Sequence, residues 1–498
     1  MNISDRHLIP AASTKRLARS LFALMSVLIL GSGCATVGPT YRKPNLSVPA
    51  AWNGVRAPDN ATTAEKTGDL SSWWMRLGDP TLTGLVEQAL SGSTDLRTAR
   101  AKLHEARARR DLVDANRFPT VTASASANRT KSSAEAGLGT TNTLYQAGFD
   151  ASWEPDIFGG TRRGAEAAQA DMETSEANFH NTQVSLAAEV ALNSVDDRTL
   201  QARLAIARNN VSSQSETLQF TEWRAQAGLV TSLDVEQSRA NLEQTRAQIP
   251  TLTTGLAGAE NRIAILLGRA PGAVHKQLIA PAPIPAVPER IAVGIPVDTL
   301  RQRPDVQAAE RKLAAETARV GQAMAARYPG FTLSGSIGLE ALTMGALGTS
   351  GAVTRSLLAN VVGVIFDGGR LRSQVEIQST VQEQALIEYE ATVLSALEDV
   401  ENALVSLNEN RRRQAALRDA AEAARNAALL ARHRYTGGLI DFQAVLDTER
   451  TVLTVEDSLA TAEAEGASAL IRLYKALGGG WSPAASGDAG QNSTGRIS

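Results

Sequence analysis

The chain has one cysteine, Cys34, in 498 residues. That excludes an intrachain disulfide and any zinc site built on several cysteines. Aromatic residues make up only 4%, too few for the stacking platforms of a nucleic-acid binder. The net charge of −2 leaves no basic footprint for one either. No apolar run reaches the roughly 20 residues that a membrane-crossing helix needs. The common catalytic signatures are missing as well. The five histidines, His7, His104, His180, His275 and His433, form no His-Glu-x-x-His pair. There is no Gly-x-x-x-x-Gly-Lys-Ser/Thr phosphate loop and no Gly-x-Ser-x-Gly turn. The glycine-rich Gly159-Gly160-Thr-Arg-Arg-Gly164 stretch sits where a strand pattern gives way to a helical one. The helical carboxylates are scattered among arginines, as on solvated faces. Neither an enzyme nor a cofactor is expected.

What the chain does have is a long internal repeat. From Asp305 an Ala-rich helical pattern runs to Arg327-Tyr328-Pro329-Gly330. Beyond it Phe331, Leu333, Ile337 and Leu339 alternate with Thr332, Ser334, Ser336 and Glu340, the period of two that marks a strand with one apolar face. The same unit begins 210 positions earlier at Asp95. It reaches Phe118-Pro119, after which Val121, Ala123, Ala125 and Ala127 alternate with Thr122, Ser124, Ser126 and Asn128. The offset recurs in Gly228-Leu229 with Gly438-Leu439, Val235 with Val445, and Leu267-Gly268 with Leu477-Gly478. A tandem duplication therefore governs the fold.

At the N-terminus Lys15, Arg16 and Arg19 precede a short apolar run, 21–30, and then Gly31-Ser32-Gly33-Cys34. This reads as a secretory signal over 1–33, with Cys34 placed for cleavage and acylation. Leu30 stands four residues before Cys34, where a lipobox leucine usually stands three before. An ordinary signal peptide with an incidental cysteine is the alternative. An extended Pro-rich leader follows over 34–78. Asp79-Pro80 then offers an N-cap and first helical residue, and Trp73 and Trp74 read as packing residues.

The first repeat, 79–270, is expected to hold a helix, strands over 118–130 and 143–155, and a long helical hairpin with its tip at 227–234. Linker 271–296 contains Pro281, Pro283, Pro285 and Pro288. The second repeat, 297–480, is expected to hold a helix, strands over 330–341 and 355–366, and a hairpin with its tip at 436–442. The Gly/Ser/Asn-rich tail 481–498 reads as disordered. The fold class is mixed and mainly α.

Strands of about ten residues, apolar on one face, suit a membrane barrel. A half-buried sheet on a soluble domain suits the same alternation. Four strands cannot close a membrane barrel, whose smallest members have about eight. An open edge in lipid leaves backbone groups unpaired. Strands that span a membrane must therefore share one barrel among several chains. The proline-free stretch 161–227, about 67 residues, would make a helix about 100 Å long. Its Ala-rich faces suit a coiled-coil-like or tubular bundle.

These features resemble the trimeric outer-membrane efflux factors of the TolC type, in the lipoprotein (NodT-like) branch that serves RND tripartite pumps. The resemblance rests on four motifs: Cys34 followed by Val37-Gly-Pro-Thr-Tyr41-Arg-Lys-Pro44; Leu300-Arg-Gln-Arg-Pro-Asp-Val-Gln-Ala-Ala-Glu310-Arg311; Phe366-Asp-Gly-Gly-Arg370; and Arg434-Tyr435-Thr-Gly-Gly438 leading to Val445-Leu446-Asp447. It implies a homotrimer whose four strands per chain build a shared twelve-stranded outer-membrane β-barrel, above a periplasmic α-barrel of long helices. It implies a lipid anchor (palmitate) at Cys34 in the outer membrane of a Gram-negative bacterium. The implied partners are a periplasmic membrane-fusion adaptor protein, an inner-membrane RND-type pump and outer-membrane lipid, with no nucleic acid, cofactor or metal. Asp447 looks like the aspartate facing the pore near its closed end, where a ring of three carboxylates would gather cations. Tyr435 resembles the tyrosine that ties the inner helices shut, and Gln443, one turn from Asp447, shares its face. The resemblance implies that Gly228, Leu229, Thr231, Gly437, Gly438 and Leu439 lie at the tips where the adaptor docks. A solvated Asp447 paired with Arg450 is the plainer alternative. The function implied is a passive multidrug exit duct. A type I protein-secretion duct and a lipid-anchored periplasmic scaffold stay open beside it.

Overall fold

The structure is a computed structural model that describes residues 36–53, 62–63, 70–288, 291–293 and 296–482. The expected signal segment 1–33, the lipidation residue Cys34, and parts of leader 34–78, linker 271–296 and tail 481–498 lie outside the described residues.

Helices α1 (Pro80–Gly92) and α2 (Thr94–Ala115) lead into strands β1 (Thr120–Lys131) and β2 (Thr141–Trp153). The hairpin of α3 (Gly160–Gln226) and α4 (Ser232–Leu266) follows. After the linker the pattern returns: α5 (Pro296–Gln302), α6 (Pro304–Ala325), β3 (Gly330–Ala341), β4 (Val353–Val362), and the hairpin of α7 (Arg370–Thr436) and α8 (Phe442–Ala476). The repeat is kept to the residue. Helices α3 and α7 each have 67 residues, α4 and α8 each have 35, and α2 and α6 each have 22. Each pair starts 210 positions apart.

Prolines set the strand ends. Strand β1 begins at Thr120 rather than 118, because Pro119 before it has no N–H for the ladder. Strand β2 runs Thr141–Trp153 rather than 143–155 and stops short of Pro155. The largest correction is β4, expected at 355–366 and found at Val353–Val362. Val362 pairs with Gly330. The next partner along β3 is Pro329, against which Gly363 packs, so pairing ends there. Helix α4 carries Pro250 without breaking. The loss of one backbone bond is tolerated where Ile249 and Leu252 pack with Leu204 and Ala207.

The chain forms two compact units, and each draws on both repeats. One takes Met1–Lys43, Ala106–Met172 and Lys312–Leu386. Its centre is an antiparallel sheet in the order β1-β2-β3-β4, so β1 and β4 are open edges. Phe149 opposes Ile337 where the two repeats meet in it. Register puts Val121, Ala123, Phe149, Ile337, Leu357 and Val361 on one face. The other face carries a polar ladder: Ser124 Oγ donates to Asp150 Oδ2 at 3.1 Å, Gln146 Nε2 to Glu340 Oε2 at 3.3 Å, and Ser336 meets Ser356 at 2.7 Å. Apolar Phe149, Ile337 and Leu357 are 59%, 52% and 79% exposed.

The leader enters this unit at Val37-Gly38. Buried Arg163 reaches the carbonyls of Val37 and Gly38 and the Thr40 hydroxyl, each at 3.3 Å. Gly38, at φ 94°, lies against the Gly321 backbone, leaving no room for a side chain at Gly38. That accounts for the glycine of the Val-Gly-Pro-Thr motif: a Cβ on Gly38 would stand 2.4 Å from the Gly321 backbone.

The second unit takes Pro44–Glu105, Glu173–Arg311 and Ile387–Ser498. Its core gathers Trp73, Leu82, Leu85, Val190, Ile263, Leu404, Leu470 and Leu473. Asp79 caps α1 by accepting from the N–H groups of Thr81 and Leu82, with Pro80 at the first position. Trp73 stacks on Tyr474 with centroids 5.4 Å apart. Arg303, from the Arg-Pro-Asp motif, is buried at one junction. It bonds Asp305 at 2.6 Å, Asp399 at 2.9 Å, and the carbonyls of Ala396 and Ala476 at 3.3 and 3.1 Å. Burial works against the Asp305 charge, but the Arg303 guanidinium outweighs it and holds the carboxyl below its ordinary range. The linker is fastened by side chains: Arg198 to the Ala280 carbonyl at 2.9 Å, Gln201 to that of Leu278 at 2.7 Å, and Arg411 to that of Pro288 at 2.5 Å.

Candidate functional site

Both hairpin tips belong to the second unit and are built alike. The α3 end closes with Leu229 N–H on the Arg224 carbonyl and Gly228 N–H on that of Ala225, both at 2.9 Å. The α7 end repeats this with Leu439 on Arg434 at 2.9 Å and Gly438 on Tyr435 at 3.0 Å. This paired closure needs a left-handed residue. Gly228 at φ 70° and Gly438 at φ 72° supply it. Gly437 has no positive φ, and Ala227 fills its place in the first tip, so the turn former of the second tip is Gly438 alone.

The chain then restarts a helix at once. Thr231 and Asp234 form a reciprocal capping box on α4, with Thr231 N–H to Asp234 Oδ2 at 2.8 Å. Asp441 caps α8 by accepting from Ala444 N–H at 3.0 Å. The turns leave Leu229 66% and Leu439 76% exposed.

Behind the tips lies a small apolar cluster of Ala431, Tyr435, Phe442, Val445 and Leu446, flanked by Phe220, Val230 and Ile440. Tyr435 is its centre. Its ring lies 5.4 Å from that of Phe442 and 6.1 Å from that of Phe220, and the Arg224 guanidinium sits 4.5 Å over it. Arg224 also donates to the Tyr435 carbonyl at 2.7 Å, which ties the first tip to the second. The Tyr435 hydroxyl is buried and makes no hydrogen bond of normal geometry among the described residues. Burial raises its pKa against the pull of Thr221 and Arg224.

Gln443 and Asp447 stand on the exposed side of α8, opposite buried Phe442, Val445 and Leu446. Gln443 Nε2 donates to Asp447 Oδ1 at 2.9 Å. Asp447 makes no ion pair among the described residues, because Arg450 turns instead to Asn241 Oδ1 at 3.0 Å. Two residues on from Asp447, and so near the opposite side of the helix, Glu449 faces inward. It accepts from Thr217 Oγ1 at 2.7 Å and from Arg432 at 3.3 Å, while Arg432 also bonds Ser213. Burial raises the Glu449 pKa more than Thr217 and Arg432 lower it. The structure thus gathers Tyr435, Gln443, Asp447 and all six tip residues at one end of the paired hairpins.

Several residues of this end have no signal in the sequence. Phe220, Arg224, Arg432 and Glu449 belong to helical patterns without a break. For Arg224 the repeat held a clue, since it takes the position of Arg434 in the second turn.

The two-fold repeat and the fold agree with the comparisons. A family model described as outer membrane efflux protein matches residues 85–269 and again 295–479. Nodulation protein T of Rhizobium leguminosarum bv. trifolii is 32% identical over 460 residues, covering 92% of this chain and 97% of its own. Outer membrane protein OprJ of Pseudomonas aeruginosa is 30% identical over 465 residues, covering 92% and 96%. The solved outer-membrane channel OprN superposes with a TM-score of 0.85 at 38% identity, covering 90% of this chain and 100% of that one. With both of its repeats matched, the chain belongs to the outer membrane efflux protein family.

Proposed function

We propose that the chain is the outer-membrane exit duct of a tripartite efflux system, working as a homotrimer. The observation that carries this reading is the four-stranded sheet, apolar on one exposed face and polar on the other, with both edges open. Such a sheet is stable in lipid only when neighbours close it, and three copies give twelve strands. The polar faces then line a water-filled lumen. The long hairpins continue the duct into the periplasm, and the mature chain is anchored through an acylated Cys34.

The tips are the docking end for a periplasmic adaptor that links the duct to an inner-membrane RND-type pump. Exposed Leu229 and Leu439 on rigid turns support this. Asp447 contributes one carboxylate to a three-fold ring at the narrow end, with Gln443 orienting it. That Asp447 makes no ion pair among the described residues, with Arg450 turned to Asn241, favours that ring over a simple surface ion pair. Tyr435 acts by holding the two tips of each protomer together, so that they move as one piece when the adaptor opens the end. Transport through the duct is passive, and the pump supplies the energy.

The test is single-channel conductance of the purified chain in planar bilayers, wild type against Asp447→Ala. A small, cation-selective conductance that rises in the variant is the expected result. A clear pore unaltered by the variant would remove Asp447 from the gate and leave the duct standing. Well-folded monomers without conductance would sink the duct.

A further inference from the structure

The register of the sheet separates charge by sign. Asp150 and Glu340, the carboxylates within the strands, lie on the polar face. Arg129, Lys131 and Arg355, the cations within the strands, lie on the apolar face, in line with Ala127, Ala125 and Ile337. None of these three cations makes an ion pair among the described residues, and all are exposed. Their position along the strands is also shared. Lys131 ends β1, Arg129 stands two positions before it, and Arg355 stands two positions after the start of β4. Each is therefore at the hairpin-loop end of its strand, away from the ends that connect to helices. Strands β1 and β4 are the two open edges of the sheet.

When copies close into a barrel, β4 of one meets β1 of the next, and the three cations converge on each seam. They then stand on the lipid-facing surface at the headgroup level. Long basic side chains at that depth reach outward to the interface, where charge costs little. A phosphate is the complementary group there, because an arginine fork pairs with its oxygens. We propose that each seam holds a site for the phosphates of an anionic lipid of the outer leaflet, bound by Arg129, Lys131 and Arg355. The site rests on the shared-barrel reading. It also gives the trimer a lipid that crosses the joint between protomers.

The probe is bisphosphorylated lipid A, added to the full-length trimer in non-ionic detergent and followed by native mass spectrometry and thermal melting. Dephosphorylated lipid A and sodium pyrophosphate serve as controls. Wild type is expected to retain bisphosphorylated lipid A about tenfold or more tightly than the Arg129→Gln/Lys131→Gln/Arg355→Gln variant. The variant Arg129→Lys/Arg355→Lys keeps the charge and should recover most of the binding. Equal retention of the two lipids by wild type would overturn the site, and so would equal affinity in the Gln variant. Competition by pyrophosphate at lipid concentrations would assign the site to free phosphate and overturn the lipid. Conductance of the same samples keeps the two readings apart. A conducting wild type without phosphate preference defeats only the lipid site. Monomers that neither conduct nor bind lipid defeat both.

Discussion

Replacing Arg303 by Ala strands Asp305 and the carbonyls of Ala396 and Ala476 at a buried junction. Losing a fully buried pair's partner costs about 3 kcal/mol or more, but Asp305 and Asp399 reach solvent, so a loss of about 1–3 kcal/mol is expected, mostly from the stranded carbonyls. Arg303→Lys should recover little, because one ammonium cannot reproduce the fork that serves two carboxylates. Melting of the purified protein checks both variants. Asp197 makes the opposite pH argument. Burial raises its pKa to about 7, helped by nearby Glu260 and opposed by Arg198. An unfolded aspartate titrates near ~3.9, so between these values the folded chain holds a proton that the unfolded chain releases. The resulting stabilisation is full below about pH 4 and gone above the folded pKa. Asp197→Asn should therefore lose the fall in melting temperature that wild type shows between pH 5 and 8. Equal slopes in both proteins would contradict it. Neither residue's role is written in its neighbourhood. The Arg-Pro-Asp motif was legible as a signature of the family, but Arg303 finds Asp399 and Ala476 far along the chain.

Helix ends were the most legible elements, because caps and turns are local. Asp79-Pro80 and the Gly-Leu pairs carry their own geometry, and the structure places them within a residue or two of the breaks seen in the pattern. The end of β4 was not legible, because it is set by Pro329 on the partner strand rather than by residues after Val362. At the tips, Gly438→Ala forces a side chain into the left-handed region and should cost about 1 kcal/mol. Gly437→Ala should be nearly silent, since Ala227 already fills that place. Hydrogen exchange across the tip amides reads the difference. Leu229→Asp with Leu439→Asp leaves both turns intact and should weaken adaptor capture about tenfold or more, as loss of exposed apolar anchors does. Unchanged affinity in a pull-down with the adaptor would remove the tips from the docking surface.

For the whole molecule, the sheet's open edges decide the assembly. Strand counting in the sequence already asked for partners if the strands span a membrane, and this inference needed no tertiary contact. A Pro at Ala125 on edge strand β1 removes a ladder donor and should lower the yield of trimer without unfolding the helices. Size-exclusion chromatography with circular dichroism would separate these effects, and a full yield of trimer would speak against a seam at β1. The equal helix lengths carry a consequence for how such a chain can change over generations. Each residue inserted into α3 turns everything beyond it by about 100° and advances it by about 1.5 Å. The Arg224 bridge to Tyr435 would then miss its carbonyl. A single insertion in either long helix is thus a broken register, whereas matched insertions in both hairpins preserve the bridge. Lineages should gain or lose helix length in synchrony across the two repeats, and sequence length becomes an inherited pair rather than two independent quantities.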